Sequence, residues 1–227
     1  TIMADGKPVI IELEEKDQFK LTKEKLLEKL TPKPKILVMP FPNNPTGAIM
    51  ERDEMEEIAK IVVEKDLFVI SDEIYSELCY RGEPVSIASF PGMRERTVVI
   101  NGFSKAYAMT GWRLGYACAP SNILAQMLKI RQFAIMCAPT TSQYAAISAL
   151  KNGDKDVEMM RESYNQRRRF LLHAFAEMKL DCFEPFGAFY AFPSIKRFGM
   201  TSEEFANRLL REEKVAVVPG TAFGRCG

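Results

Sequence analysis

Thr97-Val98-Val99-Ile100-Asn101-Gly102-Phe103-Ser104-Lys105-Ala106-Tyr107-Ala108-Met109-Thr110-Gly111-Trp112-Arg113-Leu114-Gly115 is the stretch that decides how this chain is built. Its first four residues are β-branched and apolar, which predicts a buried strand. Asn101-Gly102 is a turn signal that ends it. A single lysine, Lys105, then stands among small residues just past the strand, where ligands collect in open α/β sheets. A lone lysine in a polar loop is usually a solvated charge. Here the small neighbours leave room for a flat ligand, and Arg113 supplies a fixed cation suited to a phosphate.

Working outward, Leu114-Gly115-Tyr116-Ala117-Cys118-Ala119 returns as a strand. The link is too short for a crossover helix, so the pairing is predicted to be antiparallel. Upstream, Lys35-Ile36-Leu37-Val38-Met39-Pro40 shows little alternation and is expected to be buried on both faces, as in a parallel sheet. Leu67-Phe68-Val69-Ile70 is another buried strand, and Pro8-Val9-Ile10-Ile11-Glu12-Leu13 reads as one more. Thr22 can cap a helix with Leu26, Leu27 and Leu30 on one face, ended by Pro32 and Pro34. Residues 51–65 form an amphipathic helix with Met55, Ile58, Ala59 and Val62 inward. Ser121 can cap a helix whose inner face carries Leu124, Met127, Leu128 and Ile135, and residues 140–151 make the next. Gly153-Asp154 breaks the pattern, and a helix of about 25 residues follows. After Gly187-Ala188-Phe189-Tyr190-Ala191-Phe192-Pro193 come a helix around 202–213 and a strand, Val215-Ala216-Val217-Val218-Pro219. The fold class is α/β: a mostly parallel sheet with one antiparallel strand, flanked by helices.

Composition narrows the function. The 227 residues carry 31 basic and 30 acidic side chains, a net charge of +1, which gives no electrostatic case for nucleic acid or an anionic membrane. The dense basic run, Arg167-Arg168-Arg169, falls in a helical pattern and reads as a solvated or salt-bridged face. Five scattered cysteines without a Cys-x-x-Cys argue for reduced thiols in a cytosolic protein, against a disulfide framework and against a metal site. The one histidine, His173, has no nucleophile near it in the sequence. No apolar run approaches the length of a membrane span, and Thr1-Ile2-Met3-Ala4-Asp5 lacks the regions of a signal peptide.

Two further stretches join the lysine segment. Pro42-Asn43-Asn44-Pro45-Thr46-Gly47 is turn chemistry placed directly after a buried strand. Ser71-Asp72-Glu73-Ile74-Tyr75 puts an acid at the end of an apolar strand, which is costly unless the acid is paired or caps a helix. Together with Ser104-Lys105 and Ala108-Met109-Thr110-Gly111-Trp112-Arg113-Leu114-Gly115, these stretches resemble fold type I pyridoxal-phosphate (PLP) aminotransferases of class I/II, most closely the aspartate/aromatic subgroup.

The resemblance implies a PLP enzyme moving an amino group between an L-amino acid and a 2-oxo acid. It implies that Lys105 forms the covalent imine with PLP and that Asp72 pairs with the pyridine nitrogen. Asn44 and Tyr75 would bind the phenolic oxygen, and Ser104 and Arg113 the phosphate. It further implies a cis bond before Pro45 and a cytoplasmic homodimer active in amino-acid biosynthesis. Residues 1–153 correspond to a PLP-binding large domain, and residues 154–227 to a connecting helix and the start of a small α+β domain. The match starts inside the first and stops inside the second, so the chain reads as an internal fragment that is inactive alone. The family arginine for the substrate carboxylate would fall shortly after Gly227, and Arg225 comes too early for it. One departure stands out: many relatives have serine where this chain has Gly102. Rival functions on the same scaffold are a carbon–sulfur β-lyase, an aminocyclopropane-carboxylate synthase, or a PLP-sensing regulator.

Overall fold

The structure, a computed structural model, describes residues 1–31, 33 and 35–224. Four strands form one mixed sheet: β1 (Ile36–Pro40), β2 (Phe68–Asp72), β3 (Thr97–Gly102) and β4 (Gly115–Cys118). They lie side by side in sequence order. β1, β2 and β3 are parallel, and β4 runs antiparallel to β3, as expected.

One face of the sheet carries the core. Helix α1 (Lys23–Lys29) is capped by Thr22, whose hydroxyl accepts from the Lys25 amide at 3.3 Å. Helix α2 (Arg52–Glu64) begins with a reciprocal cap between Glu51 and Glu54. Its inward residues Met55, Ile58, Ala59 and Val62 pack with Leu37 and Met39 of β1, Val69 of β2, and Ile87, Phe90 and Met93 of the loop before β3. Ile58 and Val62 are almost completely buried, and full burial of such a side chain contributes roughly 1.5–3 kcal/mol.

The opposite face corrects an expectation. β1 is not buried on both sides: Ile36 and Val38 are exposed, as is Phe68 beside them on β2. No described element covers that face, so only one face of the apolar run is buried. Residues 8–13 form no strand, because no described strand pairs with them; Ile11 and Leu13 instead lie against the core. Leu27 of α1 points outward while Leu26 is buried, since the short helix has one apolar contact line. The helix-ending prolines, Pro32 and Pro34, lie outside the described residues.

Beyond the sheet come α3 (Ser121–Ala134), α4 (Thr140–Asn152), α5 (Asp154–Glu177) and α6 (Ser202–Glu213). Pro120, not Ser121, occupies the cap position of α3. Its expected inner face is not covered: Met127, Leu128 and, just past its end, Ile135 are exposed, because no described element packs over them. Gly153 separates α4 from α5 as the sequence indicates. The arginine run is salt-bridged, with Arg168 on Glu184 and Arg169 on Glu162. Residues 215–219 form no strand; Val215, Val217 and Val218 are exposed without a pairing partner among the described residues. No described helix is long and apolar enough to cross a membrane.

Candidate active site

The parallel register places Pro40 beside Asp72 and Asp72 beside Ile100. The loops that leave β1, β2 and β3 therefore emerge from one edge of the sheet, where α/β folds bind ligands. These loops contain Asn44, Tyr75 and Lys105.

The first loop is held by its own polar groups. The Asn43 amide donates to Ala48 O at 2.8 Å, the Gly47 amide to Asn43 O at 2.9 Å, and the Thr46 hydroxyl to Asn43 Oδ1 at 3.0 Å. The Phe41–Pro42 and Asn44–Pro45 bonds are both cis; the second agrees with the expectation. Buried Asn43 thus fastens the turn and leaves Asn44 exposed. Gly47 adopts φ +70°, and a Cβ there would meet Pro185 Cβ at 2.3 Å. Its carbonyl accepts from the amides of Phe186 and Gly187 at 3.0 and 2.9 Å. That clamp carries the segment after Gly187 into the site.

Asp72 ends β2 and is half-buried, with Oδ1 accepting from the Ile74 amide at 3.2 Å. Tyr75, three residues on, is buried. Its hydroxyl shares a 2.5 Å hydrogen bond with that of Tyr190, and Asn44 Nδ2 donates to the same Tyr190 oxygen at 3.3 Å. Burial, then the hydrogen bond to Tyr190, hold the Tyr75 phenol well above its usual range. Tyr75 is therefore a neutral hydroxyl at physiological pH. Lys105 follows β3, with its ammonium 5.3 Å from the centre of the Phe189 ring and 5.6 Å from that of Tyr75. Both contacts are of cation–π type.

Glu73 supports the loop after β2 from behind. Its amide donates to Ile100 O at 2.9 Å, and its Oε1 accepts from Ser71 and Ser86 hydroxyls at 2.9 and 2.7 Å. Burial raises its pKa. Ser104 is half-buried next to Lys105, and Arg113 is exposed at the far end of the same connection. There Arg113 takes φ +51°, and its guanidinium donates to Thr110 O at 2.9 Å. A cleft of about 200 Å³ lined by residues including Met55, Glu73, Cys79 and Arg81 shares no lining residue with the Lys105 group, so it is not the site.

The structure thus brings Lys105, Tyr75 and Asn44 together, with Asp72 at the adjoining strand end. The residues that sequence alone did not single out are Phe189 and Tyr190. Their signal was an aromatic pair directly after Gly187-Ala188, with nothing local to say where it packs.

The family model for aminotransferase class I and II matches residues 2–226. The chain belongs to that family. A putative aminotransferase of Bacillus subtilis, YugH, is 52% identical over 225 residues, covering 99% of this chain and 58% of that protein. An aspartate aminotransferase of Pyrococcus abyssi is 47% identical over 229 residues, covering 100% of this chain and 59% of its own length. Among solved structures, an aromatic aminotransferase from Pyrococcus horikoshii matches with a TM-score of 0.96 at 47% identity, over 100% of this chain and 61% of that one. The chain thus spans less than two thirds of the length of these aminotransferases. The mixed four-stranded sheet is the part of the aminotransferase fold on which the Lys105 group sits.

Proposed function

We propose that the protein transfers an amino group between an L-amino acid and a 2-oxo acid, with PLP held at Lys105. One observation carries the proposal: the Lys105 ammonium stands at the end of β3 against Tyr75 and Phe189, in the same cluster as Asn44. The donor set suits that cofactor. Asn44, as a donor, and the Tyr75 hydroxyl already meet at a phenolic oxygen, that of Tyr190. A half-buried carboxylate, Asp72, ends the neighbouring strand.

When bound, PLP supplies an electron sink that labilises bonds at the substrate Cα. The chain supplies placement and charge. Lys105 would attach the cofactor and, once its amine is released, remove the Cα proton and return it. The Asp72 carboxylate would keep a proton on the ring nitrogen. Asn44 and Tyr75 would hold the phenolic oxygen, and Ser104 and Arg113 the phosphate, Arg113 as a planar cation suited to it. Residues 1–153 would form the cofactor-binding domain, and residues 154–227 the connecting helix and start of a smaller one. An aspartate or aromatic substrate is favoured by relatives that carry those names. A reducing cytoplasm suits the free Cys79, Cys118, Cys137 and Cys182. A homodimer is consistent with the uncovered apolar face of α3.

Borohydride reduction of the PLP-treated protein, followed by peptide mapping, tests the attachment. Label on Lys105 is expected, and label on any other lysine instead would refute it. A donor screen with 2-oxoglutarate as acceptor then tests amino transfer and names the amino acid.

A further inference from the structure

Tyr190 lies 85 residues from Lys105 in sequence, and its hydroxyl sits between two groups of the candidate site. Its geometry has a direction. The Asn44 amide nitrogen can only donate, so at 3.3 Å the Tyr190 oxygen is the acceptor. Tyr190 keeps its own proton, and among the described residues the acceptor within hydrogen-bond distance of it is the Tyr75 oxygen, 2.5 Å away. When Tyr75 turns its proton toward a third oxygen, Tyr190 is placed to donate to the oxygen of Tyr75. The line then runs from Asn44 through Tyr190 and Tyr75 to the ligand. Each donor in such a chain polarises the next.

The ring of Tyr190 is fixed independently of its hydroxyl. It packs edge-on against Tyr75 with centroids 5.6 Å apart and lies 4.8 Å from Phe189, which is stacked on Tyr164 of α5. The segment is anchored by the Gly47 carbonyl, which takes two backbone hydrogen bonds just upstream. Removing the hydroxyl therefore leaves the packing in place and deletes one link of the line.

We propose that Tyr190 is a positioning residue that acts through Tyr75, strengthening Tyr75 as a donor to the phenolic oxygen of the cofactor. The inference rests on the proposed function, in which Tyr75 meets that oxygen. A stronger donor favours the ionised form of a phenol. Without Tyr190's hydroxyl, the bound cofactor should therefore need a higher pH to lose its proton.

The test is a pH titration of the absorbance of PLP bound to the purified protein, for wild type, Tyr190→Phe, Tyr75→Phe and the double variant. Tyr190→Phe is expected to raise the midpoint by about half a unit, the scale of one net hydrogen bond. In the Tyr75→Phe background the same change should add nothing, because the intermediary is gone. Tyr164→Phe, in the same aromatic cluster but outside the line, should leave the midpoint where it is. An unmoved midpoint in Tyr190→Phe, or an equal shift with and without Tyr75, overturns the proposal. So does tighter PLP binding by Tyr190→Phe with no shift, which would make Tyr190 an occupant that must leave. Wild-type protein that takes up no PLP at Lys105 is a different failure: it overturns the proposed function itself, and this inference with it.

Discussion

Gly102 and Gly115 face each other across β3 and β4, and a Cβ on Gly102 would come within 2.9 Å of Gly115 Cα. The same atom would lie 3.1 Å from Leu114 O. Both are backbone atoms, so no side-chain rotation relieves the clash. The serine common in relatives at this position therefore has no space here unless β4 shifts. β4 begins two residues after Arg113, so the space left by Gly102 is tied to where Arg113 stands.

Gly102→Ser is accordingly expected to destabilise the fold by roughly 1–3 kcal/mol, the usual scale of overpacking. Denaturant unfolding of the variant beside the wild type measures it. Equal stability would mean that β3 and β4 part without cost.

Asp72→Asn keeps the shape of the side chain and its acceptor for the Ile74 amide while removing the charge. Cofactor attachment at Lys105 should survive, and amino transfer should fall by at least about a hundredfold, as when one electrostatic group is removed from a polar site. Absorbance and a turnover assay together give the answer. Turnover close to wild type would remove Asp72 from its proposed role.

Glu73 carries a pH signature. Burial raises its folded pKa above the unfolded value. Its contribution to stability is therefore full below the unfolded pKa, near 4.3, and is lost as the pH rises through the raised folded value. Glu73→Gln keeps the oxygen that Ser71 and Ser86 donate to but cannot ionise. Relative to this variant, the wild type should lose stability as the pH rises from the unfolded pKa through the raised folded value. Glu73→Ala strands both serine hydroxyls and should cost roughly 1–3 kcal/mol at any pH. Thermal unfolding across that range checks both; a pH-independent gap between wild type and Glu73→Gln contradicts the account.

The cysteines should separate by burial. Cys79 is buried, and burial pushes its thiol up to about 12, whereas Cys118 and Cys137 are exposed. Thiolate is the reactive form, and at pH 8 only on the order of one Cys79 in ten thousand is ionised. A thiol reagent on the native protein, followed by peptide mapping, should find label at Cys118 and Cys137 and none at Cys79 until unfolding. Rapid native labelling of Cys79 would show that the loop after β2 opens.

Local signals were enough for much of the molecule. The apolar runs ending at Pro40, Ile70 and Ile100 marked three strands, although the last two continue to Asp72 and Gly102, through the expected turn Asn101-Gly102, and the returning run after Arg113 marked an antiparallel fourth. The inward face of α2 was legible because the 3.6-residue period is set by the helix itself. Lys105, Asp72, Tyr75 and Asn44 stood out through the resemblance to the aminotransferase motifs, and their places at or just past the ends of parallel strands bring them to one edge. What the strands face was not local. Ile36, Val38, Met127 and Leu128 are as apolar as core residues, and only the placement of other elements decides whether such a side chain is covered. Residues 8–13 and 215–219 have strand-like composition, but a strand exists only where a neighbour supplies hydrogen bonds. Tyr190 is the clearest case. Nothing within ten residues of it points to Lys105. The clamp between Gly47 and residues 186–187 carries it there, and that is a contact between backbones distant in sequence, which tertiary folding alone creates.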